Sequence, residues 1–287
     1  MTAPTTRKIH LATGLDYNVY EWSGPAASET TYVLVHGFTD FGFGWCEVAP
    51  LLAERGHVLA PDLRGHGDSE WIGRGGYYHF LDYVADLDDV IRQLARPRVT
   101  LVGHSMGGSV SGYYAGVRPE RLTALALLEG LGPPDMAGTD GPTRTVAWID
   151  AWRGARDKVR PMPSLDEAVR RLRKNDELLG EDLARRIAAA GTREVFGGLV
   201  WKHDPLHTTF GPYPFRVDSA RRYWERVTCP TLIVDGAQSR LNLHEVERAA
   251  RRACFPNARH LVLDQAGHAL QRHQPAKLAA AIFSLGA

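Results

Sequence analysis

Val99-Thr100-Leu101-Val102-Gly103-His104-Ser105-Met106-Gly107-Gly108 is an apolar run that passes directly into a G-x-S-x-G turn and then into a helical pattern. Residues 99–102 read as a buried strand. A serine in the middle of so tight a strand-to-helix turn takes a strained backbone, and glycines beside it let strand and helix approach, so Ser105 is lifted clear of the sheet edge as a nucleophile. A chance Gly-Ser turn is the plainer alternative, but it does not require a strand before and a helix after. Gly107, Gly108, Ser109, Ser111 and Gly112 keep the following helix slim where it packs. His104 is expected to be a packing residue that the elbow turns away.

Further short Val/Leu/Ile runs lie outward from this turn, at residues 31–35, 57–60, 122–128, 231–234 and 259–263. Between them, Phe80, Val84, Leu87, Ile91 and Leu94 fall on one helical face. Strand and helix alternate, which predicts a mostly parallel sheet covered on both faces. Residues 8–11 and 17–22, split by Thr13-Gly14, predict an antiparallel hairpin at the sheet's edge. Pro275 suits the first turn of a last helix burying Leu278, Ile282 and Phe283. The alternation stops over residues 133–227, where helical patterns follow one another with no strand between. Val146, Ile149 and Trp152 share a face, Ser164 with Glu167 makes a capping box, and Leu183 with Ile187 marks a short helix. So long an excursion is uncommon without a lid or binding role. The expected organisation is therefore a core of residues 1–132 and 228–287 with a helical cap of residues 133–227.

A serine hydroxyl is a poor nucleophile at neutral pH and needs a base. Twelve histidines compete. His268 is chosen by position, because it follows the last strand in Leu263-Asp264-Gln265-Ala266-Gly267-His268, where a loop returning from the far edge reaches Ser105. His66, His203 and His207 are the rivals, each read as a loop or surface residue. Pro205 breaks the helix that His203 and His207 need to bind a metal together, and no H-E-x-x-H occurs. No metal and no cofactor are expected. After the strand at residues 31–35 comes His36-Gly37-Phe38, which lies beside the elbow in this topology. Backbone N–H groups of Phe38 and Met106 then form the expected oxyanion hole, where losing one donor costs about 2.7–4 kcal/mol.

The strand followed by His36-Gly37-Phe38, the stretch Asp62-Leu63-Arg64-Gly65-His66-Gly67-Asp68-Ser69, the elbow Gly103-His104-Ser105-Met106-Gly107-Gly108 and the late Gly267-His268 together resemble the α/β-hydrolase family. The resemblance covers nearly the whole chain outside the cap. It implies an α/β-hydrolase fold with a mostly parallel eight-stranded sheet, and it implies that Asp62 and Arg64 brace a turn beside the site. In most members the triad acid follows the seventh strand as Gly-x-x-Asp, whereas here Gly236-Ala237-Gln238-Ser239 carries a serine. Glu129, at the tip of the sixth strand in Leu127-Leu128-Glu129-Gly130, is the preferred substitute. Asp235, one residue inside the usual position, Asp264 and the absence of any acid stay as alternatives, as does a salt bridge from Glu129 to a cap arginine. A triad acid after strand six is similar to a branch that includes the serine hydrolase-like proteins and, with an aspartate nucleophile, many haloalkane dehalogenases. Gly197-Gly198-Leu199-Val200-Trp201-Lys202-His203-Asp204-Pro205 also resembles that branch.

Composition narrows the partners. With 34 Lys+Arg against 33 Asp+Glu, net +1 and no charge blocks, there is no electrostatic footprint for nucleic acid. Cys46, Cys229 and Cys254 lie far apart without a C-x-x-C pair, which fits a reducing, cytoplasmic setting. Residues 1–10 carry no apolar leader core, and nowhere do eighteen apolar residues run on, so neither secretion nor a membrane span is expected. The expected partner is a small ester-like substrate, held against Phe38, Phe41, Phe43, Trp45 and the cap's Trp148 and Trp201. The expected reaction is ester hydrolysis through an acyl-enzyme on Ser105. Carbon–carbon or lactone hydrolysis by the same groups, and a small-molecule receptor that barely turns over, are the rivals. Haloalkane dehalogenation and epoxide opening in this fold use a carboxylate nucleophile, which Ser105 is not.

Overall fold

Val33 and Val35 face one side of a sheet and Leu34 the other, and all three are buried. Leu125 and Leu127 alternate in the same way with Ala126 and Leu128. Strands buried on both faces need layers of helices on both faces, which is why these runs read as continuously apolar. The computed structural model describes residues 3–240 and 243–285, apart from the side chain of Lys158. Its strands are β1 (Thr5–His10), β2 (Asp16–Trp22), β3 (Thr30–Val35), β4 (His57–Pro61), β5 (Arg98–His104), β6 (Ala124–Leu128), β7 (Thr192–Val195), β8 (Gly198–Trp201), β9 (Thr231–Gly236) and β10 (Ala258–Leu263). Its α-helices are α1 (Ala49–Leu52), α2 (Phe80–Leu94), α3 (Met106–Val117), α4 (Gly141–Gly154), α5 (Leu165–Asn175), α6 (Glu181–Gly191), α7 (Val217–Trp224), α8 (Glu245–Arg252), α9 (Leu270–His273) and α10 (Pro275–Phe283).

Eight strands join in the order β1-β2-β4-β3-β5-β6-β9-β10. The first two pairings are antiparallel, and every pairing from β4 to β10 is parallel. From β3 the chain places β4 on one side and β5 on the other, so the C-terminal ends of β3 and β5 flank the crevice where such sheets hold ligands. One face carries Trp22, Leu34, Val102, Val234 and Ile282, the other Val19, Val33, Leu101, Ile233 and Trp224. Each fully buried aliphatic side chain there stabilises the fold by about 1.5–3 kcal/mol. Helix α2 buries Val84, Leu87 and Ile91 as its period predicts, and α10 starts at Pro275 and buries Leu278 and Ile282.

Between β6 and β9 the chain leaves the sheet for the insertion. Asp140 caps α4 by accepting from the Thr143 N–H at 2.9 Å, and Ser164 caps α5 from Glu167 at 3.3 Å. The insertion is not wholly helical: β7 and β8 form an antiparallel hairpin, and Met162 bridges to Leu199 beside it. Strands of four residues are too short for their alternation to stand out from a helical pattern. The turn between them uses Gly197 and Gly198 at φ 87° and 139°, a region other residues rarely enter. Among the described residues no helix is long and apolar enough to cross a membrane.

Candidate active site

The elbow is strained in the way its residues predict. Ser105 sits between β5 and α3 at φ 53°, ψ −119°, a conformation that a residue other than glycine holds only at an energetic cost and with support from its surroundings. Those surroundings are tight: a Cβ at Gly103 would strike the carbonyl of Gly107, and one at Gly107 the carbonyls of Val35 and His36. The Ser105 N–H donates to Leu128 O at 2.9 Å, tying the elbow to the tip of β6. Ser105 Oγ lies 3.0 Å from His268 Nε2, within reach for proton transfer.

The other ring nitrogen, His268 Nδ1, is buried without a hydrogen-bond partner, and the carboxylate it faces is that of Glu129, with Oε2 at 3.7 Å. That is an ion-pair distance and not the direct hydrogen bond a triad acid is expected to make. The reason is visible on the acid: Oε1 accepts from the Gly236 N–H at 2.7 Å and Oε2 from the Ser239 hydroxyl at 2.9 Å. Ser239, standing where the family's acid usually sits, therefore holds the Glu129 carboxylate in place. Glu129 reaches over the sheet from φ 50°, while its N–H stays bonded to Val234 O at 2.9 Å.

Neither alternative acid bonds to the His268 ring among the described residues. Asp235 turns to the opposite side of β9, where His260 Nε2 lies 2.8 Å and Arg252 3.5 Å from its Oδ2. Asp264 is exposed on the turn after β10. Nor, among the described residues, does Glu129 pair with an arginine of the insertion. His104 does not turn away from the site. Its ring centroid lies 4.8 Å from that of His268, and its Nε2 donates to His268 O at 2.9 Å, bracing the loop that carries the base.

Gly37 packs against the elbow, where an added Cβ would stand 3.1 Å from Ser105 Cβ. The Gly37 carbonyl accepts from His36 Nδ1 at 2.8 Å and from the Asp40 N–H at 3.2 Å. That carbonyl shares one trans peptide plane with the Phe38 N–H, so those two bonds also fix the direction of the expected oxyanion donor. Met106 opens α3, and its N–H is one of the four that no carbonyl within a helix takes up.

Ser105 and His268 open onto a cavity of ≈ 860 Å³. Phe38, Phe41, Leu172, Ile187 and Trp201 supply apolar wall, and His203 and Lys202 lie among the polar lining. Trp148 is not part of it: the ring stacks on Trp152 at 5.0 Å and meets Tyr77 edge-on at 5.4 Å. Trp45 is buried core and Phe43 packs on it. His66 and His207, read as loop or surface residues, are buried and stacked on each other at 4.1 Å. Asp62 does brace its turn, accepting from the N–H groups of Gly42 and Asp68, and Arg64 is locked to Asp86 at 2.6 Å. Missed altogether was the ion pair of Asp40 with Arg272 at 2.7 Å, which joins the loop after β3 to the helix after His268. Two charges from opposite ends of a chain leave no periodic signal. Among the described residues no group of three His, Cys, Asp or Glu side chains is arranged to hold a metal ion.

The chain is similar to several known proteins. A serine hydrolase-like protein of Danio rerio is 30% identical over 185 residues, 63% of this chain, and the chain spans only 56% of that relative's length. A 3-hydroxybutyrate-oligomer hydrolase of Cupriavidus necator is 29% identical over 281 residues, covering 91% of this chain and 90% of the relative. Among solved structures, the thioesterase domain from the curacin biosynthetic pathway superposes with a TM-score of 0.88 at 27% identity, over 98% of this chain and 100% of that one. The family model for the alpha/beta hydrolase fold matches residues 32–272. Because the match runs from the first parallel strand of the core through the loop that carries the histidine, the chain belongs to the α/β-hydrolase fold family.

Proposed function

We propose that this hydrolase cleaves carboxylic esters of a small, partly hydrophobic substrate, with Ser105 as nucleophile, His268 as base and Glu129 as acid. The observation that carries the reading is the 3.0 Å contact between His268 Nε2 and a serine hydroxyl held at a strained elbow. Ser105 Oγ attacks the carbonyl carbon as His268 takes its proton, and the oxyanion settles on the N–H groups of Phe38 and Met106. His268 then returns the proton to the leaving alkoxide as the ester C–O bond breaks. Water, deprotonated by the same histidine, releases the acyl group as an acid. Glu129 keeps the imidazole oriented and offsets its charge in both steps.

Thioester cleavage needs no further group, and the likeness to a thioesterase domain favours testing it beside the oxygen esters. In this reading residues 133–227 act as a cap whose Trp201 contacts the acyl part of the substrate, and the protein works in the cytoplasm, where its cysteines stay free. The test is turnover of p-nitrophenyl acetate and butyrate, an acyl thioester and a lactone by wild-type and Ser105→Ala protein. Hydrolysis by the wild type and a loss of about 10⁶ in kcat for Ser105→Ala, matched and not multiplied by His268→Ala, is expected of residues that act as a unit. Unchanged turnover in Ser105→Ala, or a wild type inert towards the whole panel, contradicts the proposal.

A further inference from the structure

The backbone that presents Phe38 is followed by a residue under strain. Thr39 stands at φ 58°, uncommon for a β-branched side chain, and its N–H donates to His66 Nε2 at 3.3 Å. His66 is fully buried, and its Nδ1 donates to Arg64 O at 3.0 Å, which fixes the tautomer and leaves Nε2 as the acceptor Thr39 requires. On its far side His66 stacks against His207, which comes from the insertion, with ring centroids 4.1 Å apart and planes 25° from parallel. The Phe38 ring meets His207 edge-on at 6.0 Å. The insertion is fastened at the same point, since the N–H of the fully buried Asp204 donates to Gly65 O at 2.7 Å, one residue before His66. The Asp204 carboxylate in turn holds Arg156 at 2.6 Å and the Tyr78 hydroxyl at 2.9 Å.

We propose that His66 is a positioning residue for the oxyanion loop, and that the stack of His207 on His66 makes the placement of that loop depend on how the insertion is seated. A strained residue persists only while its neighbours hold it. Without an acceptor at His66 Nε2, the Thr39 N–H loses the buried partner that holds it, the backbone is free to leave φ 58°, and the adjoining Phe38 N–H moves with it. The inference rests on the ester-hydrolase reading, and it adds a link from the insertion to transition-state stabilisation.

The test uses three variants with active sites counted by fluorophosphonate titration. His66→Phe keeps an aromatic ring in the stack and removes only the acceptor, His66→Gln restores an acceptor, and His207→Ala removes the stack. For p-nitrophenyl acetate, His66→Phe is expected to lower kcat about 10- to 100-fold, the scale of a small misplacement at a reacting centre, with KM nearly constant. Phenylboronic acid, whose tetrahedral adduct mimics the oxyanion, should bind more weakly by the same factor. His66→Gln should recover most of both losses, and His207→Ala should lower kcat and boronate affinity together, by less than His66→Phe. If His66→Phe does not fold, the comparison of His66→Gln, His207→Ala and wild type decides. A kcat per active site and a boronate affinity that stay at wild-type values in the folded variants overturn the inference, as does a fall in one without the other. Wild-type protein that neither hydrolyses the ester nor binds the boronate overturns the functional reading beneath it.

Discussion

Two carboxylates stand at the tips of neighbouring parallel strands, Glu129 just after β6 and Asp235 near the end of β9, and only one of them faces the histidine at the elbow. Asp235 continues the pleat of its strand, which sends its side chain across to His260 and Arg252. Glu129 lies one residue beyond its strand at φ 50°, and that turn swings its carboxylate over the end of β9 to Gly236, Ser239 and the His268 ring. Proximity in sequence to the family's usual acid position favours Asp235; backbone conformation favours Glu129. On the proposed reading, the difference teaches that a triad acid is defined by which way the strand end turns, and that the residue at the vacated position can remain part of the site as a hydrogen-bond donor.

The sharpest way to break the comparison is to remove one charge at a time. Glu129→Gln should lower kcat for p-nitrophenyl acetate by about 10⁴, the scale seen when a triad acid becomes its amide. The fold should survive, because the amide oxygen still accepts from Gly236 and the amide N–H donates to Ser239. Adding Ser239→Asp in that background returns a carboxylate to the usual place and should restore at least about tenfold, since either strand tip then serves the same histidine. A double variant no faster than Glu129→Gln would mean that the β9 tip does not reach His268.

Histidines extend the contrast to the other side of the site. His268 and His260 each face a carboxylate at a strand tip, whereas His66 and His104 bond to backbone or amide groups and are buried, and His207 sits in the stack. Burial holds His66 and His104 well below the ordinary imidazole range, helped by neighbouring histidines, and burial takes His207 down to about 3. The unfolded chain takes up protons at these positions near pH 6.5, while the folded chain does so only at much lower pH. Their contribution is therefore fully present above about pH 6.5 and is lost as the pH falls towards the folded values. Urea unfolding at pH 7.5 and 5.5 should show a loss of about 1.4 kcal/mol for each such histidine. Stability that is flat or higher at pH 5.5 would mean that they titrate normally.

Asp235→Asn should have the smallest effect. Its partners are remote from the elbow, so kcat should stay within about threefold and stability within about 1 kcal/mol, the range for a partly exposed pair. A loss comparable with that of Glu129→Gln would move the acid back to β9.

Ser105, the parallel core and the edge hairpin were legible because each depends on neighbours within a few residues: glycines at fixed spacing, or alternation along one strand. The approach of Glu129 to His268 was legible for a different reason, since Ser239 left a visible gap and a carboxylate at the end of an apolar strand needed a partner. The 3.7 Å separation of Glu129 from His268 was not legible, because that distance is set by a positive φ and by two competing donors, one at the end of β9 and one in the turn after it. The short hairpin of β7 and β8 escaped because four-residue strands carry almost no periodic signal. The stack of His66 on His207 escaped because only folding brings the loop after β4 to the insertion. Trp148 went the other way: an aromatic in a helical insertion suggested a binding wall, and its neighbours Tyr77 and Trp152 made it a small separate core.

The most direct test of the account is a crystal structure of the protein after reaction with a methyl phosphonate inhibitor that leaves a tetrahedral adduct. Phosphorus is expected on Ser105 Oγ, its oxygen facing the N–H groups of Phe38 and Met106, with His268 Nδ1 drawn to within about 2.6–3.2 Å of a Glu129 oxygen. An adduct on another residue, or a His268 ring whose Nδ1 turns from Glu129 to Asp235 or Asp264, would contradict it.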